Sequence, residues 1–228
     1  MGLAHQPKIV TDGLVLCLDA ADPKSYSGSG TTWYDRSSSG NNGTLTNGTS
    51  FSSDNGGVLV FDGANDRVDS FSQDVEPESI TIEFWHNWAA LGDDWLLNNQ
   101  TSSVTNTNYG YQTRIDYPSY NFYARFGVGN TSRTVSHTIV LNEWAHVIAT
   151  YDPVSEGAKL YWNGQLESTN TGTGAIDYTN VVGLGIGGAN DGSRNTAGSL
   201  GLVRIYNKAL TAVEVLQNYN ATKGRFGL

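Results

Sequence analysis

The chain is poor in cysteine, in charge, in proline and in long apolar runs, and each scarcity rules something out. Cys17 is the only cysteine, so no internal disulfide forms and a disulfide-stapled extracellular domain is excluded. It lies inside Leu14-Val-Leu-Cys-Leu18, surroundings that suit a buried structural thiol rather than a reactive one. Only 15% of residues are charged, and 13 Lys and Arg face 22 Asp and Glu, a net charge of −9. That balance repels phosphate backbones and anionic bilayers, which argues against nucleic-acid and membrane partners. No stretch is apolar for long enough to span a bilayer, and residues 1–8 contain no apolar signal core. The expectation is therefore a chain made in a cytoplasm. No repeat recurs at a solenoid or propeller period, which sets aside stacked-repeat folds.

What is abundant is turn chemistry and aromatic surface, with 27 Gly, 12 Tyr and 6 Trp, the profile of a folded, β-rich chain. Between Ser79 and Trp85 the side chains alternate. Ile80, Ile82 and Phe84 point one way, Thr81, Glu83 and Trp85 the other. Lys159-Leu-Tyr-Trp162 and Gln165-Leu-Glu-Ser168 flank Asn163-Gly164, the signature of a two-residue type I′ hairpin. The last strand runs from Leu200 to Tyr206. Thr211 and Glu214 then form a capping box, and Leu210 and Val215 a hydrophobic staple, so one helix follows. About a dozen strands at hairpin spacing predict an all-β, two-sheet antiparallel jelly-roll sandwich with one short C-terminal helix. Residues 1–8 read as a flexible arm, 9–220 as a single domain and 221–228 as a basic tail free to meet a neighbour.

Several motifs occur in a telling order. They are Asp12-Gly-Leu-Val-Leu-Cys-Leu-Asp19, Trp33-Tyr-Asp-Arg36 with Gly40-Asn-Asn-Gly-Thr44, and Val60-Phe-Asp-Gly-Ala-Asn-Asp66. Ile80-Thr-Ile-Glu-Phe-Trp85, Glu143-Trp-Ala-His-Val147, Leu160-Tyr-Trp-Asn-Gly164 and Val203-Arg-Ile-Tyr-Asn-Lys-Ala-Leu210 follow. In this order they resemble the laminin-G-like, concanavalin A-like jelly-roll domains, and the wording is most similar to versions carried on tailed-phage virions. The resemblance implies a non-catalytic virion surface protein, either a capsid decoration or a tail or fibre component. Its partners would be other virion proteins or copies of itself, with a host surface glycan as a further ligand. A carbohydrate-binding module or adhesin without a virion is the alternative, and a glycoside hydrolase the second. Relatives often carry an acidic pair just before the Val-Arg-Ile-Tyr strand that serves a structural calcium. Here the positions are Gly201 and Leu202.

The residues argue against hydrolysis. Two carboxylates must flank one glycosidic bond, yet Glu76-Pro-Glu78 is interrupted by proline and Glu83 stands alone on its strand. His5, His86, His137 and His146 lack metal spacing. Calcium is the metal the chain suits best, with Asp19, Asp62 and Asp66 at strand ends as the candidate ligands. Sugars stack their C–H faces on aromatic rings. The candidates for such a platform, in or beside loops, are Trp88, Trp95, Tyr109, Tyr111, Arg114, Tyr117 and Tyr120.

Overall fold

Alternation of apolar and polar residues runs through most of the chain, and the backbone answers with strands. The computed structural model describes residues 7–69, 75–100, 109–116, 118–189 and 191–228. The first half contains β1 (Leu14–Asp19), β2 (Thr32–Trp33), β3 (Gly43–Thr46), β4 (Ser50–Ser52), β5 (Val58–Asp62), β6 (Arg67–Asp69), β7 (Ile80–Trp88) and β8 (Trp95–Gln100). The second contains β9 (Tyr111–Asp116), β10 (Asn121–Val128), β11 (Thr131–Thr138), β12 (Trp144–Asp152), β13 (Gly157–Trp162), β14 (Gln165–Asn170), β15 (Val181–Ile186) and β16 (Ala197–Tyr206). Helix α1 (Ala212–Thr222) and a 3₁₀ turn at Lys223–Phe226 close it.

These strands form two antiparallel sheets of eight. The first runs β14-β13-β12-β7-β16-β5-β4, with β1 beside the second half of β16. The second runs β11-β10-β9-β8-β15-β6-β3-β2. Their facing sides make the core, where Phe84 of β7 meets Phe122 of β10 edge-on at 5.9 Å. This is the expected jelly-roll sandwich. The Asn163-Gly164 turn is as expected too, with φ of 50° and 79°, positive at both residues as a type I′ turn requires.

The helix forms as its signals dictate. Thr211 Oγ1 accepts the Glu214 N–H at 3.3 Å, and the Thr211 N–H donates back to Glu214 Oε2 at 2.8 Å. Leu210 and Val215 are both buried, in one cluster with Val10, Ile148, Tyr161 and Tyr206. The helix thus covers the outer side of β7, β12 and β16 and meets the approach to β1.

The segment from 221 onward corrects an expectation. Far from a free tail, it folds back against the sheet. Phe226 is buried and stacks on Trp85 at 4.2 Å. A Cβ at position 201 would lie 2.5 Å from the Phe226 ring, so any larger residue at this site on β16 would displace that ring. Residues 1–6 of the expected arm lie outside the described residues.

Under the helix lies a closed polar network. Glu83 is fully buried, and its carboxylate accepts from Arg204 Nη1 (2.8 Å), Asn218 Nδ2 (2.7 Å) and Tyr206 Oη (3.2 Å), with His146 Nε2 at 3.0 Å. Asn218 Oδ1 accepts the Val10 N–H at 2.8 Å. Burial alone would raise the Glu83 pKa, but Arg204, His146 and Asn218 outweigh it and hold the carboxyl at about 2. A depressed carboxyl pKa stabilises above the unfolded value. Its contribution is complete above about pH 4.5 and fades as pH falls toward about 2. Glu83→Ala leaves Arg204 buried without its counter-ion and is expected to destabilise the fold by about 3–5 kcal/mol, read as a lower urea midpoint. Its deficit relative to the wild type should shrink in the same acid window.

Candidate functional site

With the first sheet covered by α1, the outer side of the second is the face left to recognise something. On β10, Phe122, Ala124 and Phe126 enter the core, so Asn121, Tyr123 and Arg125 point outward. Strand register extends this into rows. Trp95, Arg114, Tyr123 and Ser136 form one, and Asn98, Gln112, Arg125 and Thr134 the next. Beyond Asn98, β15 contributes Gly185, which adds no side chain.

Residues 187–189 and 191–196 fold against one end of these rows. The Trp95 N–H donates to the Arg194 carbonyl at 2.8 Å, and Asn98 Nδ2 donates to the Gly188 carbonyl at 2.8 Å. The Arg194 guanidinium lies 5.2 Å above the Trp95 ring and pairs with Asp93. Trp95 is 3% exposed and Asn98 0%. Even so, Trp95 Nε1, Asn98 Oδ1 and Arg114 Nε have no hydrogen-bond partner among the described residues. Buried polar atoms left so are costly unless something else meets them.

Charge on this face is largely balanced. Arg114 pairs with Asp116 at 2.6 Å and Arg67 with Asp69 at 2.6 Å, besides Arg194 with Asp93. Burial, with Arg114 beside it, lowers the Arg125 pKa. Burial and the adjacent Asp93 push the Asp94 carboxyl up to about 6.

The aromatic residues named from the sequence fall in different places. Trp95 and Arg114 share the outer face. Trp88 and Tyr111 do not: Trp88 is 1% exposed and stacks on Trp162 at 5.6 Å, and Tyr111 is 0% exposed with its hydroxyl donating to the Val75 carbonyl. Both sit on strands in the core, out of reach of a sugar. Tyr109 is half-buried, and Tyr120, in the turn before β10 with φ of 52°, packs on the core. Tyr117 lies outside the described residues. Tyr123, Asn98 and Gln112 were missed. The alternation Asn121, Tyr123, Arg125 against Phe122, Ala124, Phe126 was the signal that marks Tyr123.

The three aspartates do not converge. Asp62 and Asp66 are adjacent, with the Asp62 N–H donating to Asp66 Oδ2 at 3.0 Å. Asp19 pairs along β16 with Leu202 and Asp62 with Ala197, roughly 16 Å apart at the usual strand rise. Asp19 is held instead by Arg225. Among the described residues no three acidic, His or Cys side chains gather as a metal shell. Two carboxylates fall short of the six to eight oxygens calcium takes, so the set fits calcium poorly.

A family model of the concanavalin A-like lectin/glucanases superfamily matches residues 61–216. The chain belongs to this superfamily. No curated protein matches it by sequence. Among solved structures, this superfamily member is similar to the binding domain of botulinum neurotoxin DC in complex with SialylT. The TM-score is 0.70 at 14% identity, over 93% of this chain and 52% of that one. It is similar to the same binding domain in complex with rat synaptotagmin II, with TM-score 0.68 and 15% identity over 93% and 52%. The binding domain of paraclostridial mosquitocidal protein 1 aligns with TM-score 0.69 and 18% identity over 92% and 52%. The chain spans about half the length of these structures, and the likeness is one of fold.

Asp66 makes a separate prediction. It is 3% exposed, and its Oδ1 has no partner among the described residues. Burial and the neighbouring Asp62 charge raise its pKa, against the Asp62 N–H bond that lowers it. A raised carboxyl pKa costs stability once pH passes the ordinary aspartate value. With chelator present, Asp66→Asn is expected to raise the melting temperature at pH 7, and the gain should vanish near about pH 3, where the aspartate is itself protonated. A calcium-dependent rise in the wild type that this variant abolishes would instead assign the free oxygen to an ion.

Proposed function

We propose that this domain is a non-catalytic recognition module that binds a glycan across the outer face of the second sheet, and that it is displayed on a virion surface. The observation that carries the binding reading is the row of Arg114, Tyr123 and Ser136, partly exposed on the outer face of the second sheet, with Asn121 and Arg125 on the same side of β10. A hydroxyl both donates and accepts, so it suits such polar side chains, and the Tyr123 ring takes the apolar face of a sugar. The guanidinium groups of Arg67, Arg114 and Arg194 already hold carboxylates, and the chain is acidic overall. The ligand is therefore a neutral oligosaccharide rather than an anionic one. The superfamily's lectins, and a similar structure's complex with SialylT, support a sugar ligand in kind.

Hydrolysis finds no support in the acids. Glu83 is sealed beneath α1 on the other sheet, and Glu76 and Glu78 precede β7, away from Trp95 and Arg114. The virion placement is carried by the resemblance of the Val203-Arg-Ile-Tyr-Asn-Lys-Ala-Leu210 segment. Assembly in a host cytoplasm with other virion proteins, or with copies of itself, goes with it.

On a glycan array the protein is expected to bind neutral oligosaccharides saturably, with little change between low and moderate salt. Tyr123→Ala, checked for folding, should weaken binding about tenfold, the loss of one stacking contact. Preference for sialylated or sulfated sugars would overturn the neutral assignment, and no binding to any glycan would overturn the module. Mass spectrometry of purified particles tests the placement, and absence of the chain from them defeats it.

A further inference from the structure

The inner side of β7 holds one polar side chain among apolar ones. Ile80, Ile82, Phe84 and Trp88 face the core, and His86, fully buried, stands between the last two. Neither of its ring nitrogens has a hydrogen-bond partner among the described residues. Across the register it meets Leu200 of β16 and Ala145 of β12, and its ring lies 4.5 Å from that of Trp88. A Cβ at Gly198 would lie 2.8 Å from His86 Cε1, so β16 closes tightly over the ring.

The ionisable groups of the surrounding strands are engaged elsewhere. Glu83, His146, Arg204 and Tyr206 stand on β7, β12 and β16 but on the outer side, in the network under α1. Tyr151 of β12 is inward at the far end, in register with Ile80, and its hydroxyl donates to the Gly174 carbonyl. From the facing sheet, Tyr111 donates to the Val75 carbonyl, Arg133 Nη2 donates to the Thr173 carbonyl, and His137 lies 3.7 Å from Glu167. Burial alone acts on His86, and it lowers the pKa to about 3. A neutral imidazole bears this site at the cost of two unmet nitrogens. An imidazolium would place a charge in the core with the Trp88 ring to answer it, and a ring attracts a cation far less than water solvates one. The proton is therefore taken up when the core opens. The ladder is irregular at this point, since the register of β16 on β7 shifts between Leu200 and Leu202, beside His86.

We propose that His86 is an acid trigger. It is neutral in the closed sandwich and protonated in the open one, so acidification opens the seam between β7 and β16 at the irregularity beside it. By linkage, the open chain holds a proton that the closed one lacks between about pH 6.5 and about 3. Stability is full above that window and falls as pH drops through it. Glu83 adds its own loss below about pH 4.5, whereas Asp66 and Asp94, with raised carboxyl pKa values, act in the opposite sense. The domain is thereby firm at neutral pH and yields in mild acid, whatever its outer face binds.

The test is urea unfolding of the full chain from about pH 7.5 to about 4.5, beside His86→Met, whose thioether fills the space without titrating. The comparison cancels every other group. Relative to the variant, the wild type's folded-to-unfolded ratio should fall about a hundredfold over this range, roughly tenfold for each pH unit below the ordinary histidine value. In hydrogen exchange at about pH 5, the amides of residues 84–88 and 197–203 should open faster in the wild type than in the variant. Should His86→Met fail to fold, His86→Gln carries the same comparison. Proton NMR needs no variant, and the His86 ring of the folded wild type should keep its neutral shifts down to about pH 4.5. A pH dependence shared by wild type and variant overturns the trigger. So does equal exchange in those two segments, or a His86 ring that titrates at the ordinary histidine value while the chain stays folded.

Discussion

The structure depends on one buried charge. Glu83 stands on the central strand of the first sheet with no contact to water, and it is stable there because Arg204, His146, Tyr206 and Asn218 all reach it. They come from three elements: two from β16, one from β12, one from α1. A buried ion pair adds little net stability against an apolar alternative. What it does is demand completeness, because any one partner withdrawn leaves a charge or a polar group unmet. The helix is thereby fixed to the sheet by geometry rather than by grease alone, and the approach to β1 is fixed with it through Val10 and Asn218.

That arrangement divides the two faces of the sandwich. One outer face is closed by α1, the Phe226 stack and the hydrogen bonds of Arg225. The other carries rows of polar and aromatic side chains, a few of whose buried polar atoms have no partner among the described residues. A single sheet type thus serves two ends: covered, it holds the fold together, and uncovered, it presents chemistry. Within the superfamily the fold alone does not decide function, and the proposed recognition surface rests on the difference between these faces.

Much of this was legible in the residues. The period-two run at Ile80-Thr-Ile-Glu-Phe-Trp85, the Asn163-Gly164 turn and the Thr211/Glu214 capping box are local signals, and each appears where its chemistry says it must. What stayed hidden was tertiary. Trp88 and Tyr111 look like loop aromatics beside polar neighbours, yet both sheets bury the strands that hold them. Asp19 looks like a partner for Asp62 and Asp66 until strand register separates them. Lys223-Gly-Arg225-Phe reads as a frayed basic tail, because nothing in its own sequence tells of Trp85 or Gly57. Of the candidate face, the sequence singles out Trp95 and Arg114 but not Tyr123 and Asn98, since which side of a strand faces outward depends on a register that only pairing sets.

The position of β16 has a consequence for how the chain comes to be. Residues 197–206 lie in the interior of the first sheet, bonded to β7 along one side and to β5 and β1 along the other. The strand that joins the sheet's halves therefore comes after all of its partners in the chain. Until it pairs, β7 on one side and β5 and β1 on the other have bare edges and no shared partner. These edges stay open to one another, and to other chains, until residues 197–206 pair with them.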